Sequence, residues 1–238
     1  MKWGFVCLVL ITALAASQAQ TVKTFSNVDD TSASGWGSCS NCAGGQNLAD
    51  VFWVAPFQTT PSRDGHSTEF YVSAAKPYAN VLFWRKLGAV NSATHLTWDF
   101  WVYLDKASLS AQALEYDAFQ FVNGLEFMFG TECVYRTGYW EIWNQKAGNW
   151  VQTKLPCKAF TPNAWHHVVW QFHRTTDNMM HFDAVTLDGV LHTLNLSQPS
   201  GPLPAGWASD LGVQWQLDTA GAPLTFSEWV DNVKLTVY

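Results

Sequence analysis

Two carboxylic acids stand close together in a chain that carries only 13% charged residues. Glu115 and Asp117 lie in the stretch ALEYDAFQF (113–121), and Gln120 follows three residues later. Such a pair can act as nucleophile and acid on a glycosidic bond. A retaining glycosidase needs two carboxyl groups about 5 Å apart, one of them protonated. The same residues can instead bind hydroxyl groups without cleaving anything, or form the solvated face of an ordinary strand. Alternation puts Glu115, Asp117 and Phe119 on one face. Gln120 points away unless a bulge inserts one residue and turns it back. A carboxamide has no proton to donate at a useful pKa, so Gln120 cannot stand in for a catalytic acid. A partner acid must come from elsewhere. Glu126, Glu132, Glu141 and Asp99 are candidates, and the sequence marks out none of them.

Sugar recognition combines flat aromatic surfaces with a few placed polar groups. Aromatic residues make up 15% of the chain, with 14 Trp. The segment HLTWDFWVYLD (95–105) sets Leu96, Trp98, Phe100, Val102 and Leu104 against a face bearing Asp99, Trp101 and Tyr103. VQWQLD (213–218) sets Val213, Trp215 and Leu217 against Gln214, Gln216 and Asp218. Trp140 and Trp143, with Glu141 and Asn144, fall on another hairpin. The expected ligand-binding set is Asp117, Gln120, Asp99, Trp101, Tyr103, Trp140, Gln214 and Gln216, gathered by strands of one sheet into a concave floor. Most of the Trp residues are expected in the core, with Trp101 the best exposed aromatic.

His166, His167, His173 and His181 raise the question of a metal. On one strand His167 and His173 share a face but lie about 20 Å apart, and His166 and His167 point oppositely. Asp29, Asp30 and Asp231 could offer oxygens, but no hard-cation loop is present. No metal and no cofactor is assigned.

The elements that position these groups are strands. Asn123-Gly124, Thr137-Gly138, Ala147-Gly148-Asn149 and Asp188-Gly189 are turn signals between strand-like runs. Asp188-Gly189 and Lys146-Ala147-Gly148 read as tight hairpins. KASLSAQALE (106–115) is too short for a stable helix and reads as a loop with one turn. The expected fold is all-β, a two-sheet antiparallel jelly-roll sandwich. KTFSNVDD near the start should pair with the closing WVDNVKLTVY.

Residues 1–19 have the pattern of a secretory signal peptide, with Lys2, an apolar run from Phe5 to Ala16, and small residues at Ser17 and Ala19. The run is short for a membrane span. The remainder, 20–238, fits one domain, exported and without a membrane span. Loss of the leader removes one of the 13 basic residues, leaving 12 against 19 acidic and a formal net charge of −7. A diffuse acidic balance disfavours nucleic acid and polyanionic ligands. Four cysteines remain, and four allow three connectivities. Cys39–Cys42 as a loop clip and Cys133–Cys157 as a clasp between neighbouring strands are the expected pair. The glycine-flanked CSNC context cannot start the helix that a redox motif requires. Asn195-Leu196-Ser197 is a glycosylation sequon by pattern.

Three segments resemble the concanavalin A-like lectin/glucanase superfamily, which includes laminin G-like and laminarinase-like jelly rolls. Ala164-Trp165-His166-His167-Val168-Val169-Trp170 is similar to the W-H-H-V strand of laminin G-like modules. Ser227–Leu235 (SEWVDNVKL) resembles their closing I-D-D-V strand, and Asp188-Gly189-Val190 their V-D-G hairpin. The order and spacing fit over residues 160–238. The resemblance implies a sugar-binding jelly roll. Laminarinase-like members carry E-x-D-x-E or E-x-D-x-x-E, the first Glu the nucleophile and the last the acid/base. Glu115-Tyr116-Asp117-Ala118-Phe119-Gln120 matches the longer form except that Gln120 stands at the acid. The expectation is a secreted carbohydrate-binding protein that recognises a polysaccharide or glycan in a groove. A glycoside hydrolase or polysaccharide lyase using Glu115 is the alternative, and an adhesion or envelope-structural domain the third.

Overall fold

The computed structural model describes residues 21–238, and the leader expected at 1–19 lies outside the described residues. Sixteen strands follow in order: β1 (Lys23–Phe25), β2 (Gly37–Ser40), β3 (Val51–Gln58), β4 (Ser67–Ala74), β5 (Asn80–Lys86), β6 (His95–Leu104), β7 (Ala111–Val122), β8 (Leu125–Val134), β9 (Tyr139–Asn144), β10 (Asn149–Pro156), β11 (Trp165–Arg174), β12 (Met179–Leu187), β13 (Val190–Pro199), β14 (Gly201–Pro202), β15 (Asp210–Thr219) and β16 (Leu224–Val237). They form two antiparallel eight-stranded sheets, a jelly-roll sandwich. The first sheet runs β13-β12-β11-β6-β16-β4-β3 with β1 beside β16; the second runs β10-β9-β8-β7-β15-β5-β2 with β14 beside β8. Residues 107–110 make a single 3₁₀ turn, because two serines in a short segment favour local hydrogen bonds over a helix. Among the described residues no helix is long and apolar enough to cross a membrane.

The turn chemistry sets the register. Asn123 and Gly124 both adopt positive φ, 54° and 74°, and join β7 to β8 with Val122 opposite Leu125. Asp188-Gly189 does the same between β12 and β13, where Leu187 pairs with Val190. The first and last strands pair as expected, Lys23 opposite Val237. Asp29 reinforces this closure: its carboxylate accepts the backbone N–H of Val233 at 2.8 Å and of Asn232 at 3.2 Å. The Asp231 carboxylate accepts the Arg63 N–H at 2.6 Å. These oxygens tie loops to β16. Disulfides join Cys39 to Cys42 and Cys133 to Cys157.

The core lies between the sheets and is aromatic. Trp215 of β15 meets Trp36, Phe70, Trp98 and Phe100, with ring centroids 5.2–5.7 Å apart. Leu96, Trp98, Phe100, Val102 and Leu104 all point inward from β6, as the alternation requires. Truncating a fully buried aromatic side chain costs about 3–5 kcal/mol. Trp215→Ala is therefore expected to lower the unfolding free energy by about 3–5 kcal/mol in a urea titration. A loss under about 1 kcal/mol would show that Trp215 does not anchor the two sheets.

Candidate functional site

A groove of about 920 Å³ crosses the outer face of the second sheet. Its floor is built by alternation on four neighbouring strands. β7 presents Glu115, Asp117, Phe119 and Phe121 to the groove, while Leu114, Tyr116 and Ala118 enter the core. β15 presents Gln214, Gln216 and Asp218, with Val213, Trp215 and Leu217 inside. β5 adds Asn80 and Trp84, and β8 adds Glu126, Met128, Gly130 and Glu132.

The pairing arranges these groups in rungs across the sheet. In one rung Gln216 faces Glu115 on one side, and Glu115 faces Glu132 on the other. In the next, Trp84 pairs with Gln214, Gln214 with Asp117, and Asp117 with Gly130. Beyond Gly130 stand Trp143 and Trp150, with ring centroids 5.2 Å apart. Polar groups thus hold the middle of the floor, with tryptophans on both flanks. Further along, Phe119, Phe121 and Trp207 form an apolar end, linked by ring contacts at 4.7 and 5.3 Å. At the other end Asn80 donates to the Ala43 carbonyl at 3.0 Å, which holds the Cys39–Cys42 loop against the rim.

Glycine gives the groove its depth. A Cβ on Gly130 would lie 2.7 Å from the Trp143 Cβ and 3.3 Å from an Asp117 oxygen. A side chain at Gly37 would collide with the Trp84 ring, and one at Gly212 with the Phe119 ring.

Four carboxyl groups, Glu115, Asp117, Glu132 and Asp218, are each at most 6% exposed, and among the described residues no ion pair neutralises them. Amides do some of that work. Gln216 Nε2 donates to Glu115 at 2.8 Å and to Asp218 at 3.1 Å. Gln214 Nε2 and the Thr131 N–H donate to Asp117 at 2.5 and 2.9 Å. Burial raises all four pKa values, because it penalises the charged form. Glu132 is pushed up to about 9 by burial and then by Asp218, Glu141 and Asp117. Asp117 stops at about 7, since its two hydrogen bonds favour the anion. Glu115 is raised well above the usual range by burial first, then by Asp218, Asp117 and Glu132. The site therefore holds protonated and ionisable carboxyls side by side at neutral pH.

Several expected site residues lie elsewhere. Gln120 does not turn back into the groove, because β7 pairs with β8 without a bulge from Ala113 to Val122. Its Nε2 donates to the carbonyls of Val90 and Ala93 at 2.9 and 3.0 Å on the core side. The groove position four residues after Glu115 is Phe119, so neither spacing of the glucanase-like pattern supplies an acid. Trp140 is 1% exposed and packs on Tyr116 and Trp170; its strand turns Glu141 and Trp143 outward instead. Asp99, Trp101 and Tyr103 belong to β6, in the middle of the first sheet, and face the opposite side of the sandwich. There the Trp101 ring stacks on His167 at 4.5 Å and carries the Arg63 guanidinium at 3.4 Å. Asp99 accepts from or pairs with His167 at 2.8 Å, and the Tyr103 hydroxyl donates to Asn163 at 3.4 Å. Glu115, Asp117, Gln214 and Gln216 remain together. Of the acids that the sequence left unranked, Glu132 is the one that stands directly opposite Glu115. The signal for it was the two-residue turn at Asn123-Gly124: seven residues outward from Val122 and Leu125 lie Glu115 and Glu132.

The raised values set a pH dependence. The folded state keeps protons that the unfolded chain releases near its ordinary values of 3.8 and 4.5, so this contribution to stability is complete below those values. It is lost as pH rises through about 7 for Asp117 and about 9 for Glu132. The thermal midpoint is expected to fall between pH 5 and pH 9, and Glu132→Gln should flatten the fall. An equally steep profile in Glu132→Gln would place the titration in other groups.

No protein-family model matches the chain, and no curated protein matches its sequence. Among solved structures, the chain is similar in fold to a carbohydrate esterase from the Shiga toxin-encoding bacteriophage phi24B, with TM-score 0.51 and 15% identity over 91% of this chain and 99% of that one. It is similar to a structure from work on endo-acting O-glycanases of human gut microbiota that initiate mucin breakdown, with TM-score 0.51 and 15% identity over 90% and 98% of the two chains. The cellulose-induced protein Cip1 aligns with TM-score 0.50 and 12% identity over 85% and 91%. At these identities the likeness is one of fold.

Proposed function

We propose that the groove binds a neutral glycan in an exported carbohydrate-binding protein. The observation that carries this reading is the rung Trp84, Gln214, Asp117, Gly130, backed by Trp143 and Trp150: polar acceptors and donors in the centre, indole surfaces at both flanks. Indole faces suit the C–H faces of pyranose rings, and carboxyl and amide groups suit the hydroxyls. The described lining lacks a free cation for an acidic sugar. Among the described lining residues Lys86 is the one Lys or Arg, and its ammonium lies 3.6 Å from Asp210. A uronate would meet five acidic side chains, Glu115, Asp117, Glu126, Glu132 and Asp218, with no guanidinium to receive it, which weighs against a polysaccharide lyase. A deep groove also weighs against a flat adhesion surface. The fold neighbours named above are, by their own descriptions, linked to carbohydrate, which agrees with this reading, and two disulfides suit an oxidising compartment.

Calorimetric titration against a panel of neutral polysaccharides and oligosaccharides tests the proposal. Binding to at least one is expected, and Trp143→Ala should weaken it by about tenfold or more, as for a central aromatic anchor. Binding to none of the panel, or binding indifferent to Trp143, would remove the groove from the function.

One observation favours catalysis as a second reading. Glu115 and Glu132 stand directly opposite on adjacent strands, and the cluster holds Asp117 at about 7 beside Glu132 at about 9. Paired carboxyls whose environments push their pKa values apart are the requirement for acid and nucleophile roles. In this reading Glu132 protonates the leaving oxygen, and Glu115 attacks or positions the anomeric carbon once it has released the proton that burial holds on it. Reducing-sugar release that disappears in both Glu115→Gln and Glu132→Gln, with binding retained, is its expected signature. Release that survives Glu115→Gln excludes it.

A further inference from the structure

The opposite face of the sandwich carries a second cluster that takes no part in the groove. His173 of β11 and His181 of β12 are direct cross-strand partners, with rings stacked at 4.4 Å. Both turn Nδ1 to one carboxylate. His173 Nδ1 lies 2.9 and 3.0 Å from the two oxygens of Asp183, and His181 Nδ1 lies 2.8 Å from Oδ1. One donor atom from each of the three residues falls within 4.8 Å of the other two. Among the described residues these imidazoles are the ionic partners of Asp183 within 4 Å. By contrast, His166 and His167 face different carboxylates, Asp188 and Asp99.

A bulge builds the cluster. Phe172 pairs with Phe182 and Gln171 with Ala184, so Asp183 is an extra residue in β12. It is skipped against β13 as well, where Phe182 meets Leu196 and Ala184 meets Thr193, and Asn195 takes φ 50°. Bulges re-aim a side chain at the cost of ladder bonds, and they recur where an element serves a site. This one brings the carboxylate beside both imidazoles instead of opposite Gln171. On the far side of His173, His95 of β6 stacks at 5.2 Å, and Tyr238 stacks on His95 at 4.9 Å. The His173 ring is thus held between two others, which fixes the direction of its Nδ1.

We propose that His173, His181 and Asp183 bind a divalent transition-metal ion of the zinc class. Two imidazoles and a carboxylate suit zinc and its borderline neighbours, whereas magnesium and calcium ask for oxygen donors throughout. Ligand atoms 2.0–2.1 Å from a tetrahedral zinc lie about 3.3 Å apart. The nitrogen–oxygen separations of 2.8–3.0 Å need to open by only ~0.4 Å, and the two imidazole nitrogens, within 4.8 Å of each other, close by rotation of half-buried side chains. On binding, each imidazole gives its Nδ1 lone pair to the metal and carries its proton on Nε2. Three protein ligands leave a fourth position for water or an outside ligand.

The test is calorimetric titration of the untagged, chelator-stripped chain with zinc chloride at pH 7.5. Saturable binding of one equivalent is expected, with no saturable binding of calcium chloride. His181→Ala and Asp183→Asn, each verified as folded by circular dichroism, should each weaken zinc binding by about tenfold or more. His167→Ala should leave it unchanged. Asp183→Asn keeps the size of the side chain, so it reports on the ligand even if His181→Ala perturbs the sheet. No zinc binding to the wild-type chain, or binding undiminished in Asp183→Asn, overturns the proposal. Calcium bound as tightly as zinc overturns the assignment of metal class.

Discussion

Everything in the groove depends on the unbroken pairing of β7. From Leu114 to Phe121 that strand matches β8 and β15 residue for residue, and each step reverses the face. Glu115 and Asp117 point out because Leu114, Tyr116 and Ala118 point in. A slip of one residue would exchange the two sets and drive carboxyls into the aromatic core around Trp98 and Phe100. The core therefore fixes the site from behind. The site residues sit on central strands, bonded on both edges, and this gives them more precise placement than loops provide.

That placement has an electrostatic consequence. Four carboxyls are gathered where water is scarce, and the chain offers them amides and protons instead of cations. Gln214 and Gln216 donate to three of the four, and burial raises Glu115 well above the usual range and Glu132 to about 9. A protonated carboxyl is a donor and an acceptor at once. It meets a sugar hydroxyl, itself both, in either direction. A salt-bridged floor would have fixed each group in one role and carried a local charge. Neutralisation by protonation thus suits a neutral, hydroxyl-rich ligand.

Much of the fold was legible because turns and alternation carry it. Asn123-Gly124 and Asp188-Gly189 each mark a hairpin, and the period-2 run at 95–105 faces inward as its apolar set requires. The face of each site residue was equally legible for Glu115, Asp117, Gln214 and Gln216. Alternation does not say which sheet a strand joins. Asp99, Trp101 and Tyr103 have the right composition for a sugar platform but sit on β6, across the sandwich from β7. Trp140 and Trp143 differ by one inversion plus two, an odd step, so only one can face the groove. Gln120 failed for a related reason: it needed a bulge, and the second sheet keeps its register shifts elsewhere, between Gln152 and Pro156 of β10 and between Leu217 and Thr219 of β15. The His–His–Asp cluster was invisible because its partners meet across strands, while spacing within one strand separates His167 from His173 too widely.

The two outer faces differ in shape for a reason visible in single residues. On the second sheet Gly37, Gly130 and Gly212 replace side chains where rings from Trp84, Trp150 and Phe119 lie down, so the surface sinks between them. The seven long strands of the first sheet contain no glycine, and its outer rings press on one another instead, as Trp53 does on Tyr71 and Trp101 on His167. A face whose rings are already paired offers little flat surface to a sugar and instead gathers imidazoles and carboxylates into contact. A face relieved by glycine exposes its indoles along a channel. The same alternating strand grammar therefore yields a groove on one side and a compact polar cluster on the other, and the choice between them is made by where side chains are left out.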